Sequence, residues 1–229
     1  MIRKVYLDNA STTPIDSKVL EFMLPYLKDN YGNPSSLHTL GRISKNAIEN
    51  SRIKISKIIN CLPEEIIFTS GGTEANNLAI FGLARANKNK GKHVIVSSIE
   101  HKSILDACKV LEKEGFEIDY LDVDKNGVVN LETLKNKIKR DTILVSVMYA
   151  NNEIGSIQSI KKIGKLIEEI RNQKPENVSI VLPANAVIQC PKNTDLDSRL
   201  HGNDRRTAMY FIRVIRCIYS CISVLFFTL

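Results

Sequence analysis

The sequence predicts an α/β fold built on a mainly parallel sheet with helices on both faces. Two observations carry this expectation. Between residues 65 and 181, short apolar β runs and helix-spaced apolar patterns alternate strictly. Strand–helix–strand succession of that kind implies crossover units and a sheet covered on both sides. In addition, three of the runs end in polar turns, at residues 69–73, 97–101 and 148–155. Ligands of such sheets sit outside the carboxyl ends of the strands, so these turns converge on one rim.

The elements follow in order. Residues 17–28 and 37–59 carry apolar side chains at helical spacing. The β runs are expected at 65–68, 93–96, 116–121, 142–147 and 177–181. Helix patterns fill the intervals at 73–87, 102–114, 131–139 and 159–172. Asp124-Lys125-Asn126-Gly127 is a turn signal ahead of one of these helices.

A chain of 229 residues suits one large domain or two small ones, with length enough for a buried core. Its five cysteines (Cys61, Cys108, Cys190, Cys217 and Cys221) are odd in number, scattered and free of any C-x-x-C pair. With no N-terminal signal peptide, that usage points to a reducing, cytoplasmic setting and free thiols. The net charge of +7 invites a nucleic-acid reading. Against it, the lysines are interleaved with acids on helix-patterned stretches such as 109–114 and 161–171, Trp is absent, and no basic run alternates with aromatics. A solvated surface explains the charge better than a nucleic-acid groove.

The stretch most specific for chemistry is Phe68-Thr69-Ser70-Gly71-Gly72-Thr73-Glu74-Ala75-Asn76-Asn77. A strand that turns through two glycines into a helix start presents unpaired N–H groups and a positive dipole end. Glycine permits close backbone approach, and Thr69, Ser70 and Thr73 offer hydroxyls. Two readings stand: a phosphate cup, or a Gly-rich turn with an ordinary Thr cap. After the next β run comes Ser97-Ser98-Ile99-Glu100-His101-Lys102-Ser103. His101 either caps a helix or lies face-on to a flat ring. The turn Met148-Tyr149-Ala150-Asn151-Asn152-Glu153-Ile154-Gly155 holds amides that either tie a loop together or orient a ligand.

Taken together and in this order, the motifs resemble those of the cysteine desulfurase family, pyridoxal-phosphate enzymes of aminotransferase class V. The resemblance begins at Tyr6-Leu7-Asp8-Asn9-Ala10-Ser11-Thr12-Thr13-Pro14 and takes in Tyr31-Gly32-Asn33-Pro34-Ser35-Ser36. It continues through Phe68-Thr69-Ser70-Gly71-Gly72-Thr73-Glu74, Glu100-His101-Lys102-Ser103-Ile104-Leu105 and Asn151-Asn152-Glu153-Ile154-Gly155, covering about residues 1–180. It implies an aminotransferase type I-like large domain and a homodimer. It also implies removal of sulfur from L-cysteine as an enzyme persulfide, leaving alanine, for iron–sulfur cluster or thio-cofactor synthesis with a sulfur-acceptor scaffold. By the same resemblance Gly72 and Thr73 would hold the phosphate of pyridoxal phosphate. His101 would stack on its ring, Asn152 would contact its phenolic oxygen, and Asn33 and residues 8–13 would lie near the substrate.

The tail departs from that pattern. Where the family continues into His-Thr-Asp-Ala-Val-Gln, this chain reads Leu182-Pro183-Ala184-Asn185-Ala186-Val187-Ile188-Gln189. Aligned in this way, the family's Asp, which keeps the pyridinium nitrogen protonated, is replaced by Asn185, which carries no charge. No Ser-x-His-Lys follows, so the Schiff-base lysine has no counterpart, and the sulfur-accepting cysteine loop has none either. Residues 181–189 and 196–204 resemble a translated bacterial interspersed palindromic repeat, as if an insertion interrupted the gene near residue 180. On this reading residues 181–229 form an irregular tail with an apolar end. A rival reading makes residues 217–229 a membrane segment, although thirteen residues are short for a span and Arg213 and Arg216 limit its extension. Two functional classes are thus expected: an inactive enzyme domain of desulfurase ancestry, or a non-catalytic remnant, either a pseudogene product or a membrane-tethered binding module that uses the phosphate cup.

Overall fold

The structure, a computed structural model, describes residues 5–59, 61–173, 179–182, 211–216 and 223–226. Its strands are β1 (Ile66–Thr69), β2 (His93–Ser97), β3 (Glu117–Leu121), β4 (Thr142–Ser146), β5 (Ser179–Leu182), β6 (Phe211–Arg216) and β7 (Ser223–Phe226). Its helices are α1 (Ser17–Lys28), α2 (Thr39–Ile59), α3 (Gly72–Ala86), α4 (Lys102–Lys113), α5 (Leu131–Lys137) and α6 (Ile160–Gln173). The order matches the sequence expectation, with shifts at the ends. Glu65, expected to open β1, belongs instead to a 3-10 turn, Pro63–Glu65, where its carboxylate accepts from the Leu62 N–H at 2.7 Å.

The sheet order is β1-β7-β6-β5-β4-β2-β3. The β2–β3, β2–β4, β4–β5 and β5–β6 pairs are parallel, and β7 runs antiparallel to both β6 and β1. Two antiparallel steps restore direction, so the carboxyl ends of β1, β2 and β4 lie on one edge. From β2 the chain moves to β3 on one side, then returns across to β4 on the other. That reversal makes the carboxyl ends of β2 and β4 a topological switch point, where such sheets open a crevice.

Both faces of the central strands are covered, which is why β2 and β4 read as continuous apolar runs. On one face Val94, Val96 and Leu144 pack with Ala79, Ile80 and Leu83 of α3 and Ile104 and Leu111 of α4. On the other, Ile95 and Val145 pack with Leu134 of α5 and Ile163 and Ile167 of α6. Neighbouring strand residues point to opposite faces, so one strand contributes to both layers. Full burial of an aliphatic side chain contributes about 1.5–3 kcal/mol, and this double core dominates the stability. In contrast, α1 buries none of its residues, and Phe22 and Leu27 are exposed.

The Asp124–Gly127 turn forms as the sequence anticipates. Asp124 accepts from the N–H groups of Asn126 and Val128, both at 2.9 Å. Gly127 takes a φ of 72°, and a Cβ there would stand 2.6 Å from Ile154 Cδ1. Gly127→Ala is therefore expected to destabilise the chain by about 1–3 kcal/mol, read from urea unfolding, through left-handed strain and the clash together.

Within the expected tail of residues 181–229, the described residues include two strands of the sheet, Phe211–Arg216 and Ser223–Phe226. Phe211 aligns with Ile180 of β5, and Phe226 aligns with Ile66 of β1. Phe211-Ile212-Arg213-Val214-Ile215-Arg216 is rich in β-branched residues, but its place is set by distant partners: β6 and β7 together lie between β5 and β1, which would otherwise be edges. Asn185, Cys190, Cys217 and Cys221 lie outside the described residues, as does most of 217–229. Among the described residues no helix is long and apolar enough to cross a membrane.

Candidate cofactor site

The Gly-Gly-Thr turn leaves β1 and opens α3. Gly71 caps the helix in extended conformation without a side-chain cap bond, and a Cβ built there would meet nothing within 4 Å. The first-turn N–H groups thus open onto free space at the positive end of a 15-residue helix. The hydroxyls divide differently from the sequence expectation. Thr69 Oγ1 donates to Gly71 O at 3.3 Å, and Ser70 Oγ donates to the Glu74 carboxylate at 2.5 Å. These two shape the turn, and the Ser70 hydroxyl and N–H hold the Glu74 carboxyl below its ordinary range. Thr73 is exposed, and its hydroxyl makes no hydrogen bond among the described residues. A phosphate oxygen would find its donors at Gly72 and Thr73.

At the carboxyl end of β2, His101 is the N-cap of α4: its Nδ1 accepts from the Ser103 N–H at 3.2 Å. The capping reading is therefore realised, and it leaves the exposed ring fixed by one edge. Ser103 Oγ lies 2.8 Å from the same Nδ1 and accepts from Asn76 Nδ2 at 2.8 Å. Asn76 sits on α3 just beyond Gly72 and Thr73, so this bond joins the Gly-Gly-Thr turn to His101.

At the end of β4, Asn151 rather than Asn152 ties the loop together. Its Nδ2 donates to Ile99 O at 3.0 Å, and its Oδ1 accepts from Glu153 and Ile154 N–H, each at 2.9 Å. Asn152 is left half-buried, with a side-chain amide that makes no hydrogen bond among the described residues. Asn33 accepts from the Ser35 N–H at 2.9 Å and Ser11 donates to Asp8 at 2.7 Å, both within their own turns.

Sequence reasoning missed Glu100, Asn76 and Ser103 as parts of this rim. Glu100 is 5 % exposed and accepts from the Met148 N–H, coupling the β2 loop to the β4 loop. Its Oε2 has no partner among the described residues, and burial pushes its pKa up to about 8. Nothing in the local pattern announces a buried acid, since Glu100 sits in a polar turn between Ser98 and Lys102 with Ile99 as its one apolar neighbour. Cys108, on the buried face of α4, is a thiol pushed up to about 12, mainly by burial, and is inert as a nucleophile at neutral pH.

With this geometry the chain can be set beside known proteins. Residues 5–173 match the family described as aminotransferase class-V. The chain belongs to that family. "Cysteine desulfurase IscS" of Dictyoglomus turgidum is 53% identical over 169 residues, covering 74% of this chain and 43% of that protein. "Cysteine desulfurase IscS 1" of Archaeoglobus fulgidus is 54% identical over 162 residues, covering 71% of this chain and 42% of its own length. Among solved structures, a "NifS-like protein" superposes with a TM-score of 0.81 at 29% identity, over 98% of this chain and 59% of that one. "SspA in complex with cysteine" gives a TM-score of 0.78 at 31% identity, over 96% and 60%. The chain therefore spans about two-fifths of the length of the curated relatives it matches.

The class-V rim fits pyridoxal phosphate on its own chemistry. An uncapped helix start suits the phosphate, an exposed imidazole held by one edge suits a flat ring, and the Asn152 amide, unpaired among the described residues, suits a phenolic oxygen.

Proposed function

We propose that this chain is the N-terminal part of a cysteine desulfurase cofactor domain. On this reading it binds pyridoxal phosphate reversibly, through Gly72, Thr73, His101 and Asn152, and residues 1–229 do not carry the covalent chemistry. The observation that carries the reading is the Asn76–Ser103 bond at 2.8 Å, which joins the open phosphate turn to the ring-facing histidine. When bound, the cofactor supplies an electron sink for bonds at the substrate's α-carbon. The chain's own groups hold and orient: N–H groups of α3 and the Thr73 hydroxyl take the phosphate, His101 covers a ring face, and Asn152 sets the ring's rotation. L-cysteine as substrate, a second copy of the chain and a sulfur-acceptor protein belong to the same proposal.

The test is a titration of the full chain with pyridoxal phosphate, followed by absorbance. Pyridoxal without the phosphate should bind at least about tenfold more weakly, and Thr73→Ala should cost about tenfold, the worth of one charge-assisted hydrogen bond. Equal affinity for the two compounds, or a borohydride-trapped adduct at one specific lysine, would overturn the reading.

A further inference from the structure

We propose that Asn76 and Ser103 are positioning residues that fix the tautomer and plane of His101. They hold its Nδ1 as a hydrogen-bond acceptor and leave the ring proton on Nε2. The geometry decides the direction of each bond. The Ser103 backbone N–H can only donate, and it meets Nδ1 at 3.2 Å, so Nδ1 carries no proton. The Ser103 hydroxyl lies 2.8 Å from the same nitrogen. That hydroxyl's own lone pair is taken by Asn76 Nδ2 at 2.8 Å, which orients its hydrogen toward the ring. Asn76 is only 4% exposed, and its Oδ1 has no partner among the described residues. A buried amide with an unsatisfied oxygen is costly, and it persists where its other end serves a specific contact.

The consequence deepens the cofactor reading, on which this inference rests for its purpose. An imidazole gripped at Nδ1 by two donors from its own helix start cannot rotate freely, so it offers a fixed face to a flat ligand. Its opposite edge presents a permanent donor, Nε2–H, to an acceptor on that ligand or on the substrate. Because Asn76 lies one turn along α3 from Gly72 and Thr73, seating of the phosphate and the pose of His101 are mechanically linked.

The experiment is nitrogen-15 magic-angle-spinning spectroscopy of the full chain labelled at histidine, which reads tautomers whatever the association state. His101→Ala assigns the resonance among the four histidines. The wild type should show His101 with Nδ1 unprotonated and Nε2 protonated. Ser103→Ala removes the closer, hydroxyl donor and leaves only the 3.2 Å backbone N–H, so it should add a minor Nδ1-protonated population and weaken pyridoxal phosphate by about three- to tenfold, the range of one lost hydrogen bond. Ser103→Thr, which keeps the hydroxyl, should restore both. Unchanged circular dichroism guards against misfolding, and Asn76→Ala should shift the tautomers in the same direction as Ser103→Ala. A protonated Nδ1 in the wild type, or tautomers unmoved by Ser103→Ala, would overturn the inference. The expected tautomers without any cofactor binding would leave it standing and refute the cofactor reading instead.

Discussion

The purified chain, mixed with pyridoxal phosphate and L-cysteine, is expected to release no alanine or sulfide above the background of free cofactor. By the family resemblance, residues 181–229 are expected to lack three groups: the lysine, the carboxylate opposite the ring nitrogen and the cysteine loop. Each serves the same covalent sequence, so loss of one removes turnover and the losses do not add. The buried thiol of Cys108 does not substitute, because a pKa near 12 leaves almost no thiolate at neutral pH. Coupled detection of alanine over hours, against a cofactor-only blank, checks the expectation. Alanine accumulating in proportion to chain concentration would show that residues 1–229 suffice for catalysis. A sharper version adds a separate polypeptide carrying the C-terminal half of a relative; recovered turnover would show that this half-domain can be completed in trans.

Stability should fall as pH rises from about 4.5 to about 8, and Glu100→Gln should abolish that fall. The Glu100 carboxyl is raised from its ordinary 4.5 to about 8 by burial, partly offset by the Met148 N–H. A carboxyl whose folded pKa is raised favours the folded state most below the unfolded value. As pH climbs, the unfolded chain loses its proton first, so stability drops until the folded group also ionises. The magnitude is on the order of 3–5 kcal/mol across the window, an upper range for a fully buried acid. Glutamine keeps an oxygen to accept from Met148 N and cannot ionise. Urea unfolding of both proteins at pH 5 and pH 8 isolates the effect, since every other titrating group is common to the two. Parallel pH slopes for wild type and variant would mean that Glu100 is charged in the fold. Because Glu100 couples the β2 and β4 loops, its ionisation should also loosen the rim that carries His101 and Asn152.

The elements from α1 to α6 were legible in the sequence because each carries a local signal. Val94–Val96 and Leu144–Val145 are unbroken apolar runs suited to two-sided burial, and Lys102–Lys113 repeats its apolar residues at helical spacing. Gly71, Gly72 and His101 stood out because glycine pairs and helix-start polar residues have narrow local uses. Residues 211–216 and 223–226 were not legible as strands of this sheet. Their assignment depends on two distant partners, β5 and β1, and no local pattern reports a vacant slot between strands. The hydroxyls of Thr69 and Ser70 misled for a related reason: a side chain close to its own turn satisfies that turn before any ligand.

By itself, then, the sequence determined the α/β alternation, the three polar turns on one rim and the family to which residues 5–173 belong. Those properties are written in periodicity and in short motifs, which act over a few residues. Only the tertiary structure decided that Asn76 reaches Ser103, that Glu100 is buried against Met148, and that Asn151 braces the loop while Asn152 stays unpaired among the described residues. Each of those pairings joins residues far apart in the chain: Asn76 with Ser103, Glu100 with Met148, and Asn151 with Ile99. Hydrogen-bond partners and burial are properties of packed surfaces, and they exist only once the crossovers have brought separate strand ends onto one edge.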